Sequence, residues 1–295
     1  MILVTGATGP LGNGVVEFLL KKTPASNIAA LVRDPAKAEA LKARGVEIRV
    51  GDYSNYDSLV KAFKGIDQLY FVSGNDIQNR STQQANVVRA AKEAGIKHVL
   101  YTSFQRKNET ASSPIALVAQ THLETESALK TSGIPYTILK HTLYTDMLPI
   151  FIGDKVLETG VIFQPAGGGK VTFATRADMA EAAANILTSQ GHENKEYEIA
   201  GSKAWSYQEI AGIISEITGK SINYISPTQE AFRQELTKAG VPDHYIGLFA
   251  GFGEGIKQGE FDQTDPTLEK LLGRKPTSVR EFLQKVYAPS ASVPA

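Results

Sequence analysis

The chain has 295 residues, with 31 Lys plus Arg against 31 Asp plus Glu and no cysteine. A zero formal charge argues against nucleic acid or an acidic membrane surface as partner, and does little to oppose self-association, so a homodimer is compatible with it. Without cysteine there is no disulfide, thiolate metal site or cysteine nucleophile; no run reaches the roughly 18 apolar residues of a membrane span, and no signal peptide is evident, so a soluble, cytoplasmic protein is expected.

Strand and helix signals alternate from the start. "ILVTG" reads as a strand and "PLGNGVVEFLLKK" as a helix; "NIAALVR" is a buried strand, followed by the helix "PAKAEALKARG". "EIRVGD" and "DSLVKAFKG" repeat the pattern, then "QLYFVSG" and "STQQANVVRAAKEAG", then "HVLYTS" and the helix containing "AQTHLETESALK", then a sixth strand, "YTILKH". Short apolar strands separated by helices of this length imply βαβ units and a parallel sheet covered on both faces. The fold class is α/β, a Rossmann-type doubly wound sheet.

After Thr142 the rhythm breaks. "RADMAEAAANILTS" is a helix with Asp178 as expected N-cap, and "KEYEIAG" is a further strand. "SYQEIAGIISEITG" opens with Ser206 and Glu209 at capping-box spacing, and "INYIS" is strand-like. The expected division is a nucleotide-binding domain over 1–142, rejoined by 171–202. A smaller helix-rich substrate lobe is expected from 143–170 and 203–287, and a frayed tail over 288–295.

"VTGATGPLG" places Gly6, Gly9 and Gly12 between the first strand and the first helix, with Thr8, Pro10 and Leu11 among them. Glycine allows the tight turn and brings bare backbone up to a pyrophosphate, while the helix N-terminus adds free N–H donors. The second strand ends in "VRDP". Arg33 lies 21 positions beyond Gly12, near the ~20 at which such folds read the adenosine ribose. Asp34 precedes Pro35 as an N-cap precedes a proline at N1, which leaves Arg33 for a 2′-phosphate, with Lys37 in support, and favours NADPH over NADH. Later strand ends should line the same crevice: Asp52 and Tyr53; Ser73, Gly74 and Asn75; Thr102 and Ser103; Lys140, His141 and Thr142.

Taken together, "TGATGPLG", "VRDPAKA", "GDY", "AGIKHVLYTS", "GIPYTILKHTLYTD", "TRADMAEAAA" and "GHENKEYEIAG" resemble the NmrA-like branch of the atypical short-chain dehydrogenases/reductases. Within that branch the likeness is to NADPH-dependent type-2 quinone oxidoreductases and triphenylmethane reductases. The resemblance implies an NADP(H) domain with a C-terminal substrate lobe, and Gly6, Thr8, Gly9, Leu11, Gly12 and Arg33 as cofactor contacts. Ser73, Gly74 and Ser103 match more variable family positions, and "KHTLYTD" falls near the nicotinamide. Many relatives have Arg-Asn in place of Lys140-His141. Some NmrA-like proteins are non-catalytic NADP(H) sensors, which is the alternative function.

Most short-chain dehydrogenases carry Tyr-x-x-x-Lys on the helix after the fifth strand. This chain has His122 and Glu126 there, and a glutamate has the wrong charge to replace the lysine. A ketone reduced to an alkoxide needs a strong acid nearby, since water's pKa is near ~15.7. A quinone yields a phenolate with pKa near ~10, so about 8 kcal/mol less basicity must be managed, and a cationic dye is simply neutralised. Quinones or similar conjugated or cationic acceptors are therefore the expected small-molecule partners. Candidate proton donors are His122, whose ordinary pKa suits the task, and Tyr144; the bland reading of His122 and Glu126 is a helix-surface pair. No third ligand accompanies His122, so no metal is expected. Phe104, Trp205 and Phe249 are candidate apolar walls for a flat acceptor.

Overall fold

A computed structural model of the protein describes residues 1–288. The expected tail lies outside the described residues from position 289 onward. Six strands follow in the order expected: β1 (Ile2–Val4), β2 (Ile28–Val32), β3 (Glu47–Val50), β4 (Gln68–Phe71), β5 (His98–Phe104) and β6 (Tyr136–His141). With Lys195–Ile199 they form a seven-stranded sheet, ordered β3-β2-β1-β4-β5-β6 and then that last strand, every pair parallel. This is a Rossmann-type doubly wound sheet. Its order reverses between β1 and β4, where open α/β sheets place a ligand crevice.

The helices are α1 (Pro10–Leu19), α2 (Glu39–Ala43), α3 (Tyr56–Phe63), α4 (Arg80–Glu93) and α5 (Ala116–Ser132). Strand alternation sorts the core into two faces. Val4, Ala30, Tyr70, Leu100 and Leu139 meet α1 and the helix Arg176–Leu187. Leu3, Leu31, Phe71 and Tyr101 meet α3, α4 and α5.

Two local expectations need correction. The single helix expected over 35–45 is a 3₁₀ turn, Pro35–Ala38, followed by α2, because Ala38 leaves helical geometry at φ −113° and ψ 8°. Asp34 nonetheless caps as expected, accepting from the Ala36 N–H at 3.0 Å. The helix Arg176–Leu187 is capped by Thr175, not Asp178: the Thr175 hydroxyl accepts from the Asp178 N–H at 3.1 Å. Asp178 sits in the first turn, where its carboxylate accepts from Thr277 N–H and from Arg274.

Beyond β6 a third apolar cluster draws on residues from Ile115 to Leu283, including Leu148, Tyr207, Ile210, Ile214 and Phe261. Two strand pairs flank it: Val161–Phe163 with Asn223–Ile225 in parallel, and Lys170–Val171 with Trp205–Ser206 antiparallel. The helix Tyr207–Thr218 begins with the expected Ser206–Glu209 capping box. Buried Glu260 accepts from the N–H groups of Lys107 and Asn108 at 2.8 and 2.9 Å, tying the loop after β5 to this lobe. Among the described residues, no helix is long and apolar enough to cross a membrane.

Candidate active site

A cleft of about 840 Å³ opens at the switch point. Its floor is the loop between β1 and α1: Gly6, Thr8, Gly9, Pro10, Leu11 and Gly12. Gly6 holds φ at +59°, a region costly for any residue with a Cβ. A Cβ on Gly12 would stand 2.3 Å from the Gly6 carbonyl oxygen, closer than atoms can pack. No side chain caps the N-terminus of α1, and Pro10 stands in its first turn. Its amides are therefore left for an incoming acceptor. These features fit a dinucleotide pyrophosphate. At the end of β2, Arg33 lines the same cleft, exposed and without an ion pair among the described residues. That fits a 2′-phosphate.

The remaining strand ends divide into lining and support. Asp52, Tyr53, Ser73, Gly74 and Asn75 line the cleft. The Tyr53 hydroxyl reaches the Thr5 hydroxyl at 2.5 Å and the Val72 carbonyl at 2.8 Å, and Thr5 Oγ1 accepts from the Val72 N–H at 2.9 Å. Tyr53 and buried Thr5 thus clamp β4 to β1 beneath the glycine loop, a role for Thr5 that no local motif announces. Thr102 does not line the cleft; its buried hydroxyl accepts from the Ser73 N–H at 2.9 Å and so fixes a residue that does.

Several candidates stand elsewhere. Ser103 is buried, donating to Glu126. Lys140 turns across the sheet to Glu196 at 3.0 Å. His141 is buried with both ring nitrogens unpartnered, and burial pushes its pKa down to about 3. Thr142 is buried against the Thr172 hydroxyl. Lys140 and His141 take opposite faces at the end of β6, one towards Glu196 of the neighbouring strand and one into the core, and Thr142 just beyond is buried too, so none of the three lines the cleft. Lys37 is exposed beyond the lining. Trp205 packs in the lobe under the Lys203 ammonium, 3.7 Å from its ring. Phe104 and Phe249 lie one layer back. Phe104 stacks on His122 and meets Phe252 edge-on, and Phe249 stacks on Tyr245. Besides the apolar residues of the glycine loop and the strand ends, Ile77, Val118, Tyr245, Leu248 and Phe252 reach the cleft, the last three from the helix Asp243–Lys257. Their helical spacing was visible in the sequence, but nothing there distinguishes a lining face from a core face.

Tyr144 lines the cleft, with no side-chain hydrogen bond to any described residue. Burial pushes its pKa up to about 12, against the opposing pull of Arg176 and Arg80, so it keeps its proton at neutral pH and is a weak acid.

His122 and Glu126 are not a surface pair. Each is only 3% exposed, and they take different partners. Glu126 accepts twice from Arg106, at 3.0 and 2.8 Å, in a buried bidentate pair. His122 Nε2 meets Arg80 Nη2 at 2.7 Å, and its Nδ1 meets the Tyr101 hydroxyl at 2.8 Å. Burial first, then the charges of Arg80 and Arg106, hold the His122 pKa well below its ordinary value. The ring is therefore neutral. Because arginine can only donate, Nε2 accepts and Nδ1–H donates to Tyr101, which in turn donates to Gln84 Oε1 at 2.8 Å. His122 does not reach the cleft; Arg80 does. Arg80, at the first position of α4, was the functional candidate the sequence hid, since its partner is 42 residues away.

The geometry agrees with known proteins. The sequence signature of the NmrA-like family matches residues 1–283. The chain belongs to the NmrA-like family. It is 39% identical to quinone oxidoreductase 2 of Escherichia coli over 97% of this chain and 99% of that protein. An E. coli NADPH-dependent quinone oxidoreductase, solved with NADPH, superposes with a TM-score of 0.90 at 38% identity, covering 97% of this chain and all of the other. Triphenylmethane reductase of Citrobacter sp., solved with NADP(H), gives 0.89 at 41% identity over 97% of this chain and 99% of that one.

Proposed function

We propose that the chain is an NADPH-dependent reductase of quinones and similar conjugated or cationic acceptors, working without a tyrosine–lysine proton relay. The observation that carries this reading is the face of α5. Only Val118 from that helix lines the cleft, while His122 and Glu126 are committed to two buried arginines. No acid from α5 is therefore offered to a reacting oxygen. Relatives named for NADPH-dependent quinone oxidoreduction and triphenylmethane reduction support the same substrate class.

The glycine loop and α1 would hold the pyrophosphate and Arg33 the 2′-phosphate. When bound, NADPH supplies a hydride. The chain's own part is positioning: Ile77, Val118, Leu248 and Phe252 offer an apolar slot that excludes water and orients a flat acceptor. Tyr144 keeps its proton and can donate a hydrogen bond. A product phenolate takes its proton from water afterwards.

The test is oxidation of NADPH and of NADH, followed by absorbance, with naphthoquinone as acceptor. Wild type should turn over with NADPH preferred. Arg33→Glu should lose about a hundredfold with NADPH, about 2.7 kcal/mol, and little with NADH. Equal losses would remove Arg33 from the 2′-phosphate. Tight nucleotide binding without turnover on any acceptor would leave the sensor reading instead.

A further inference from the structure

Arg80 is a buried cation without a counter-ion. Only 7% of it is exposed, and no carboxylate lies within ion-pair distance among the described residues. Its one side-chain partner is the neutral His122 ring, which accepts a single hydrogen. Its Nε is buried and unpartnered. A guanidinium carries five N–H donors and keeps its charge in any protein environment. Desolvating such a charge against a neutral partner is unfavourable unless something else uses it.

The other arginines on or near the cleft differ. Arg33 is exposed at the adenosine end. The Asp146 carboxylate accepts from the Arg176 backbone N–H at 2.7 Å and lies 3.7 Å from Nε, offsetting its charge. Arg106 is closed off by Glu126. Asp76, the nearby acid on the cleft wall, is hydrogen-bonded to Asn79 and Gln83. Arg80 lines the same cleft as Ile77, Val118, Tyr144 and Phe252, and its own burial leaves its charge weakly screened.

We infer that Arg80 is the oxyanion-stabilising group of this site: its guanidinium, fixed by His122, takes up the negative charge that reduction places on a quinone oxygen. The inference rests on the reductase reading. A hydride, one proton with two electrons, passes from the reduced nicotinamide to the quinone. The nicotinamide is oxidised to NADP⁺, and the quinone is reduced to the hydroquinone mono-anion. That anion forms against Arg80 and is then protonated by water. His122 acts through Arg80 as a positioning residue. The neutral ring aims the guanidinium, and the Tyr101–Gln84 chain aims the ring.

The decisive experiment pairs two acceptors of opposite electrostatic demand. Hydride turns para-benzoquinone into an anion but turns crystal violet, a triphenylmethane cation, into a neutral molecule. In Arg80→Gln, quinone kcat should fall about a hundredfold, the size of effect seen for a lost oxyanion donor, with dye kcat unchanged or higher. Arg80→Lys should recover part of the quinone rate. Equal losses on both acceptors would overturn the inference, and so would a weakening of NADPH binding that accounts for the loss. A second readout needs no turnover. Para-nitrophenol bound to the wild-type NADP⁺ complex should ionise at least about one pH unit below the free phenol. Arg80→Gln should abolish most of that shift; no shift in wild type overturns the inference even where the variants do not fold. Wild type inert towards both acceptors would instead defeat the reductase reading and leave the phenol titration to judge Arg80 alone.

Discussion

Two buried arginines meet the same helix one turn apart. Arg106 reaches Glu126 with two parallel hydrogen bonds and is further neutralised by Glu109 at 3.0 Å. Arg80 reaches His122, which carries no charge. The first site is closed: its charges cancel, and Ser103 occupies another acceptor position of the carboxylate. The second is open, since its net charge faces a cleft. Burial alone does not separate structure from function here. What separates them is whether the partner balances the charge.

The largest effect should come from breaking the closed pair. Glu126→Gln leaves the Arg106 guanidinium buried with only the exposed Glu109 opposite, and should lower unfolding free energy by about 3 kcal/mol in urea titration. A loss below about 1 kcal/mol would mean that solvent reaches Arg106 after all. Breaking the open pair should cost less. His122→Asn removes the ring but leaves Arg80 access to the cleft, so a loss of about 1–2 kcal/mol is expected. Quinone turnover should stay within about tenfold, short of the 10²–10⁴ of a lost general acid. A quinone drop beyond a hundredfold with dye turnover unchanged would restore His122 as a proton donor, because the dye takes up hydride without a proton.

The smallest effect per step lies in acid. His122 and His141 are neutral when folded because burial depresses their pKa values, whereas the unfolded chain binds protons there below about pH 6.5. The unfolded state then holds more protons, so stability falls as pH drops from about 6.5 towards those depressed values. The slope should be about 1.4 kcal/mol per pH unit for each histidine, and His122→Asn should remove one histidine's share. An unchanged slope in that variant would show that the ring is charged in the native protein.

The sheet was legible because its signals are local. Each strand is a short apolar run, each helix follows within a few residues, and the glycine loop carries its spacing in nine consecutive letters. Arg33 and the Asp34 cap were legible for the same reason. Lys140 and His141 were read correctly as a strand end and placed wrongly in the crevice, since one sequence does not say which face each side chain takes. Arg80 was missed because the helix was expected to begin at Ser81, and its meaning depends on a histidine on the next helix, brought alongside across the intervening strand β5. The acceptor wall was misassigned by one layer: Phe104 and Phe249 stand behind Phe252 and Tyr245.

The path of the chain has a consequence for synthesis. The last strand of the sheet, Lys195–Ile199, arrives only after part of the lobe has been made, and the lobe core gathers side chains from Ile115 to Leu283. A nascent chain halfway out of the ribosome therefore carries an open β6 edge and an unfilled apolar surface. Completion waits for the closing helix, Val279–Tyr287, so early termination should yield aggregates rather than a working half-enzyme.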